Sequence, residues 1–276
     1  MSLIIELTCL SILISLLAGF SSTYTSISRS GFLVVTISHA ILASLAVLFY
    51  IAYIFNIYVT PILTWTIMLI TALPVCAFVS HVRLFSERDL ILSIIFALML
   101  SIAALFMAIL PGFMISRMWS FLTGSILLVS PMDMTFIFII CLICSTLYTL
   151  FYREFLLVSY DYEYALATSI PAGAINYLLS ILISISTLAC VYVLGLFVTY
   201  AVMLIPGAVL VNARVRPSLS IFLNILIIFI TLMISIMLAF KYNIPPSGLC
   251  GVMISILAGL AIFLKFLMKR FKKTQA

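Results

Sequence analysis

Long apolar runs recur along the whole chain, and they constrain its fold more than any other feature. About 20 mostly apolar residues are needed to cross the ~30 Å hydrocarbon core of a bilayer. Inside lipid every backbone N–H and C=O must be paired within its own segment, so each such run is predicted to be a helix. There are nine runs: Leu3–Phe20, Phe32–Phe55, Pro61–Val79, Leu90–Leu110, Met134–Phe151, Gly173–Cys190, Gly195–Val211, Leu219–Phe240 and Pro246–Leu267.

The composition requires a surface that is covered by lipid. Hydrophobic residues make up 66% of the chain and charged residues only 7%, whereas a soluble domain carries roughly 25% charged residues. Such a chain cannot build the polar surface of a soluble protein. We predict an all-α, polytopic integral membrane protein with about nine transmembrane helices in a single domain, residues 1–276. The first run lacks a basic leader and an Ala-x-Ala site, so it is predicted to be a span.

Lys and Arg are unevenly distributed around the predicted spans, and this distribution sets orientation in membrane proteins. If the C-terminus is cytoplasmic, only Arg117 and Lys241 fall outside. Eleven basic residues then fall inside: Arg29, Arg83, Arg88, Arg153, Arg214, Arg216, Lys265, Lys269, Arg270, Lys272 and Lys273. The bias predicts a cell-membrane protein with its N-terminus outside. It also accounts for the formal net charge of +6 without a nucleic-acid partner.

Three segments interrupt the helical pattern. Ile109–Pro131 contains prolines and glycines and is predicted to be an outer-side excursion with a short or re-entrant segment, because irregular backbone at membrane depth must lie against protein or water. Tyr152–Ser169 is the longest polar connection and is predicted to be cytoplasmic. Lys241–Gly248 is predicted to be a proline-rich turn on the outer side.

The sequence contains no soluble catalytic machinery. It lacks a phosphate-binding loop, a dinucleotide fingerprint and the H-E-x-x-H and G-x-S-x-G motifs. With two histidines and seven acids in all, we expect no enzyme, no cofactor and no multi-ligand catalytic metal site. The C-x-x-C pair Cys141 and Cys144 has a spacing typical of redox or metal motifs. In an apolar helix we interpret the pair as small packing residues.

His39 is an ionisable residue inside the second predicted span. Burying such a group in lipid is costly, so we expect it to face the bundle interior or a wet cavity. Two interpretations stay open. The imidazole is a ligand or gate on a substrate path, since it suits zinc, manganese and iron, or it is neutral and hydrogen-bonded to a neighbouring helix. His81, beside Arg83 in a predicted loop, is interpreted as solvated.

The segment Asp161–Pro171 has the features of a short cytoplasmic helix. Asp161 and Glu163 favour a helix start, and Pro171 stands where a helix stops or bends. Another surface could approach closely over its small residues, Ala165, Ala167 and Ser169.

Five motifs follow one another along the chain. They are Arg29 with Ile37-Ser38-His39-Ala40, Trp119–Ser125, Asp161–Ile170, Gly195 with Ala201 and Leu204-Ile205-Pro206, and Ile244–Gly248. In this order they resemble segments of the membrane permease subunits of ABC importers for zinc, manganese or iron. The family patterns are R-R…D-x-x-S-H-A, yLfGs, D-P-E-F-A-x-A-x-G-I, G-x-L-L…A-L-L-I-I-P and lPsG.

The resemblance implies roles for particular residues. His39 would line the metal path. Three positions depart from the family pattern: Val35 replaces the acid one turn before the histidine, Tyr162 replaces a proline, and Ser169 replaces a glycine. The missing acid leaves open whether this chain coordinates the ion. The segment that couples to the ATPase would comprise Asp161, Glu163, Ala165, Ala167, Ser169 and Ile170.

From the resemblance we expect the permease subunit of an importer for divalent transition-metal ions, working by alternating access. Its expected partners are a cytoplasmic ATP-binding subunit, an extracytoplasmic metal-binding protein, a second copy of the permease and membrane lipid. One alternative is a secondary transporter, which usually has several intramembrane carboxylates; the scarcity of acids in the spans argues against it. The other is a non-transporting membrane scaffold, which would need no docking segment.

Overall fold

Twelve α-helices account for most of the described chain. The computed structural model describes residues 2–82, 88–124, 126, 129–168 and 170–274, and no strand occurs among them. The helices are α1 Ser2–Ile27, α2 Gly31–Ile54, α3 Pro61–Val82, α4 Arg88–Ile109, α5 Gly112–Thr123, α6 Pro131–Leu150, α7 Tyr152–Tyr160, α8 Tyr162–Ala167, α9 Ala172–Leu194, α10 Leu196–Asn212, α11 Pro217–Tyr242 and α12 Pro246–Thr274.

Eight of the described helices are long and apolar enough to cross a membrane. A ninth, α10, is apolar and 17 residues long, which corresponds to about 26 Å and lies at the short end of the range for a span. The prediction of a polytopic all-α membrane protein is therefore confirmed. The excursion Ile109–Pro131 contains α5, whose 12 residues are too few to cross a bilayer.

The first helix is longer than the sequence predicts. We expected it to end at Phe20, before a run of serines and threonines, but it continues to Ile27. The hydroxyls do not compete with the helix because they bond to its own carbonyls: Thr23 Oγ1 donates to Gly19 O, 3.1 Å away. Such back-bonding lets polar side chains lie within a helix without leaving buried groups unpaired.

The spans divide into a central and a peripheral set. In the most apolar stretch of each span, 83% of residues are buried in α2 and 72% in α9, but only 11% in α4 and 17% in α12. The peripheral helices therefore present most of their apolar surface outward, as lipid-facing helices do. Cys141 and Cys144 are buried and unbridged, which agrees with their interpretation as packing residues.

α10 contains a proline, and α1 pairs the backbone groups beside it. Pro206 has no N–H to donate within the helix. The next residue, Gly207, donates its N–H to Ser22 Oγ at 2.9 Å. On the preceding turn, Met203 O accepts a hydrogen bond from Thr25 Oγ1 at 3.4 Å. Two hydroxyls of α1 thus pair backbone groups around Pro206.

The connection between α9 and α10 also packs closely, in this case against the end of α5. Gly195 is the single residue between α9 and α10 and has a φ of 81°. A Cβ atom at Gly195 would lie 2.2 Å from Gly124 N, just after α5. In the same region Ser247 Oγ of α12 donates to Thr123 O at 2.5 Å. The two segments that we expect on the outer side therefore meet at one end of the bundle.

The close contact between α1 and α10 predicts that one methyl group added at Gly207 lowers the stability of the protein. A Cβ atom at Gly207 would lie 2.0 Å from Ser22 O, so Gly207→Ala must separate the helices. We expect a loss of stability on the order of 2 kcal/mol, measured as a lower melting temperature of detergent-purified protein by size-exclusion chromatography after heating. Gly259→Ala is the matched control, because nothing lies within 4 Å of its added Cβ. Equal melting of both variants would contradict the packing.

Candidate functional site

His39 belongs to α2 and lies inside the bundle, where its side chain contacts α4 and α10. Its side chain is 8% exposed. Its ring meets Phe96 of α4 edge-on, with centroids 4.5 Å apart, and lies nearly parallel to Tyr200 of α10, with centroids 5.9 Å apart. The histidine is therefore enclosed by aromatic side chains of two neighbouring helices.

Two oxygens surround Nδ1 of His39. Val35 O lies 2.9 Å away and Tyr200 Oη lies 2.8 Å away. Two arrangements satisfy these contacts, because a carbonyl oxygen only accepts whereas a phenol can also donate: Nδ1–H donates to Val35 O, or an unprotonated Nδ1 accepts from Tyr200 Oη. In the first arrangement Nε2 of the neutral imidazole carries the lone pair and can bind a metal ion.

No carboxylate accompanies this histidine on its own helix. Val35 occupies the position one turn earlier and contributes only its backbone carbonyl to the imidazole. In the part of the chain that the structure describes, no group of three or more His, Cys, Asp or Glu side chains is placed to hold a metal ion. The chemistry available at His39 is thus that of one neutral nitrogen donor beside a phenol.

Tyr200 is the residue that sequence reasoning missed. It lies 161 positions from His39 in the chain, so no local pattern joins them. The sequence did contain a sign that Tyr200 has a polar partner, because its hydroxyl group lies within an apolar helix. It also directly precedes Ala201 of the fourth motif. A buried tyrosine needs a partner for its hydroxyl group, and His39 supplies it.

The predicted coupling segment contains a helix that is shorter than expected. Asp161 begins it: its Oδ1 accepts the backbone N–H of Tyr164 at 2.9 Å, as an N-cap residue does. The helix ends at Ala167, because Thr168 is extended with φ −89° and ψ 168°. The prediction of one helix over Asp161–Pro171 is therefore wrong in length, although its start is correct.

The side chains of this segment point in different directions. Ala165 is fully buried, so the expectation that it forms part of an approachable surface is wrong; its small size lets α8 pack on the protein. Ile170 is half-buried and Ser169 lies outside the described residues. The exposed residues are Asp161, Glu163, Tyr164, Leu166 and Ala167.

Aromatic packing connects the neighbouring helix α7 to two spans. Phe155 of α7 is fully buried. Its ring meets Tyr24 of α1 at 5.7 Å and Tyr148 of α6 at 6.1 Å between centroids, both edge-on. Tyr24 and Tyr148 stack on each other at 5.5 Å. We call Tyr24, Tyr148 and Phe155 the aromatic cluster; through it α7 is held rigidly against α1 and α6.

A buried carboxylate joins three spans at the other end of the bundle. Oδ1 of Asp133 accepts hydrogen bonds from Trp65 Nε1 at 2.9 Å and from Tyr192 Oη at 2.8 Å. Its Oδ2 accepts from Ser130 Oγ at 2.6 Å and from the Ser130 backbone N–H at 3.1 Å. With four donors around it, Asp133 is a structural tie between α3, α6 and α9. The sequence motifs gave no sign of this role.

Comparison with known proteins now identifies the fold and its family. The model of the ABC 3 transport family matches residues 1–268 of the chain. The chain belongs to that family. The resemblance based on five motifs is thereby confirmed.

Relatives and one solved structure agree with this assignment. A protein of Chlamydia trachomatis named "Probable metal transport system membrane protein" is 27% identical over 256 residues, which are 93% of this chain and 85% of the relative. "Manganese transport system membrane protein MntC" of Halalkalibacterium halodurans is 37% identical over 91 residues, 33% of this chain and 31% of that one. The structure described as PsaBC from Streptococcus pneumoniae in complex with Fab superposes with a TM-score of 0.78 over 95% of this chain and 91% of that chain, at 16% identity.

The pairing of His39 with Tyr200 in this ABC 3 family protein is testable. Tyr200→Phe keeps the ring and removes the hydroxyl, so α2 and α10 lose one hydrogen bond, worth about 0.6–1.7 kcal/mol between membrane helices. We expect a lower melting temperature in detergent. The control is Tyr53→Phe, because Tyr53 is 47% exposed on the same helix as His39. Unchanged melting of Tyr200→Phe would remove the hydrogen bond from the description of the site.

Proposed function

We propose that this ABC 3 family protein is the permease subunit of an importer for a divalent transition-metal ion, zinc, manganese or iron. The observation that supports the proposal most directly is the buried imidazole of His39, whose Nε2 is free to bind a metal ion when the Nδ1 proton is donated to Val35 O. Imidazole nitrogen suits all three metals. The relatives, which include a manganese transport protein, point to the same class of substrate.

The proposal assigns ATP hydrolysis to a separate cytoplasmic subunit, so this chain is a transport component and not an enzyme. It also includes an extracytoplasmic metal-binding protein and a second copy of the permease. The superposition on PsaBC and the family match support such an assembly. In the proposed orientation the N-terminus is outside and the C-terminus is cytoplasmic, as the distribution of Lys and Arg favours.

We place the contact with the ATP-binding subunit on α8. Its exposed face carries Tyr164 and Leu166, which are 60% and 57% exposed. Large apolar side chains together with the acids Asp161 and Glu163 form a surface suited to docking in a groove of a partner. Behind this face, Ala165 is buried against the protein, so force applied to α8 reaches α7 and the aromatic cluster.

A gradient-driven secondary transporter is the less favoured function. Such transporters use intramembrane carboxylates that change protonation or bind ions. Among the described residues, Asp133 is the buried acid, and four hydrogen-bond donors already occupy its oxygens. That satisfied environment favours a permanent structural role.

The role of His39 in transport is tested by its removal. We expect His39→Ala to abolish metal-dependent growth of a strain that relies on this transporter, because the proposed path loses its nitrogen donor, while expression stays normal. The chain's other histidine provides the control: His81 is exposed and its Nδ1 lies 3.2 Å from Tyr177 Oη. His81→Ala should support growth. Normal metal uptake by His39→Ala would leave that residue only a structural role.

The docking role of α8 is tested on its exposed face. Ala167→Trp adds bulk to that face without entering the core, since Ala167 is exposed. We expect this variant to lose the ATP-binding subunit in a pull-down, or to keep it while ATP hydrolysis no longer drives transport. Tyr242→Trp is the control, because Tyr242 is 58% exposed at the far end of α11. An Ala167→Trp permease that assembles and transports normally would show that α8 is not the docking helix.

A further inference from the structure

An apolar groove runs along the surface between α10 and α12. It has a volume of about 780 Å³ and is lined by aliphatic and alanine side chains, among them Leu204, Ala208, Ala258 and Ala261. Its polar residues, Asn212 and Lys265, lie together at one end. There, Lys265 Nζ donates to Asn212 O at 2.6 Å. The groove is thus apolar along its length and positively charged at its end.

The charged end of the groove lies where the apolar span stops. The candidate span of α12 is Pro246–Lys265, but the helix continues to Thr274. Its 29 residues correspond to about 44 Å, close to the ~40–45 Å of a bilayer that includes its headgroup regions. The last turns of α12 therefore lie at the level of the lipid headgroups.

Basic residues are concentrated in the sequence segments at this end. The sequence of α12 beyond Lys265 carries Lys269, Arg270, Lys272 and Lys273. The turn between α10 and α11 adds Arg214 and Arg216, both exposed. No Asp or Glu occurs anywhere in the chain after Glu163. Clusters of four to eight basic residues directly beyond a transmembrane helix are typical of sites that bind anionic lipids.

We propose that the groove between α10 and α12 binds an anionic phospholipid of the cytoplasmic leaflet. One acyl chain fills the apolar groove, and the phosphate binds the ammonium group of Lys265. Lys265 uses one of its three donors on Asn212 O, so two remain for phosphate oxygens. From Leu204 to Asn212 the helix rises about 12 Å, which fits the ~15 Å half-thickness of the hydrocarbon core.

A helix from a second copy of the chain is the competing occupant. In a membrane dimer the two-fold axis runs along the membrane normal, so both copies place their basic ends at the same height and like charges gather where the two grooves end. Neither α10 nor α12 contains an acid to pair with Lys265. An anionic lipid supplies the missing negative charge, and for this reason we favour it.

Native mass spectrometry of the full-length, detergent-purified protein tests the proposal, with phosphatidylglycerol and phosphatidylcholine added in turn as probes. The wild-type protein should retain phosphatidylglycerol in preference to phosphatidylcholine. Lys265→Gln should weaken phosphatidylglycerol retention about fivefold, the contribution of one basic residue near an anionic surface. Lys265→Arg should restore it. Lys241→Gln, at the opposite end of the bundle, is the control and should bind as the wild type does.

A second variant tests the groove itself. Ala261→Trp fills the apolar space, so it should displace both lipids from the site while the protein still elutes as a single species. Phosphatidylglycerol retention by Lys265→Gln at the wild-type level would overturn the proposal. So would an Ala261→Trp variant that keeps its phosphatidylglycerol but changes from dimer to monomer, since the groove would then be an interface between copies.

Discussion

The pairing of backbone groups in lipid is the constraint on which this structure depends. Pro206 removes one N–H from the hydrogen bonding of α10 inside the bundle, where a backbone N–H or C=O left free must be paired by protein. Ser22 Oγ of α1 accepts the N–H of Gly207, and Thr25 Oγ1 donates to Met203 O. Because Gly207 carries no Cβ, the two helices approach closely enough for these contacts. The position of α10, and with it the position of Tyr200 beside His39, therefore follows from hydroxyl groups on α1.

The same helix connects the two predicted functional regions. Near its C-terminal end, α1 pairs the backbone groups beside Pro206 of α10. Two residues beyond Ser22, Tyr24 packs in the aromatic cluster with Tyr148 and Phe155. Phe155 belongs to α7, which directly precedes α8. A displacement of α8 by a partner would thus reach α10 through α7 and α1, without passing through lipid-facing helices. Packed aromatic rings transmit such displacements because protein interiors have little free volume to absorb them.

The sequence predicts the architecture well because the helices are determined by continuous apolar runs, which are local features. Each span is visible as a continuous apolar run, and His39 stands out as an ionisable residue within one. The partners of these residues are not local: Tyr200 meets His39 across 161 positions, and Trp65 meets Asp133 across 68. The burial of Ala165 was missed for a related reason. Small residues suit both an open surface and a tight contact, and only the packing of α8 distinguishes the two.

The environment of His39 bears on how a permease of this kind handles its ion. A carboxylate one turn before the histidine would add a full negative charge in a region of low dielectric, where such a charge attracts a cation strongly. Val35 removes that attraction and leaves a neutral nitrogen beside a phenol. On a transport path, binding must be strong enough for entry and weak enough for release. In the proposed permease, the substitution shifts this balance towards release, so retention of the ion before transport depends on the external binding protein more than on the path itself.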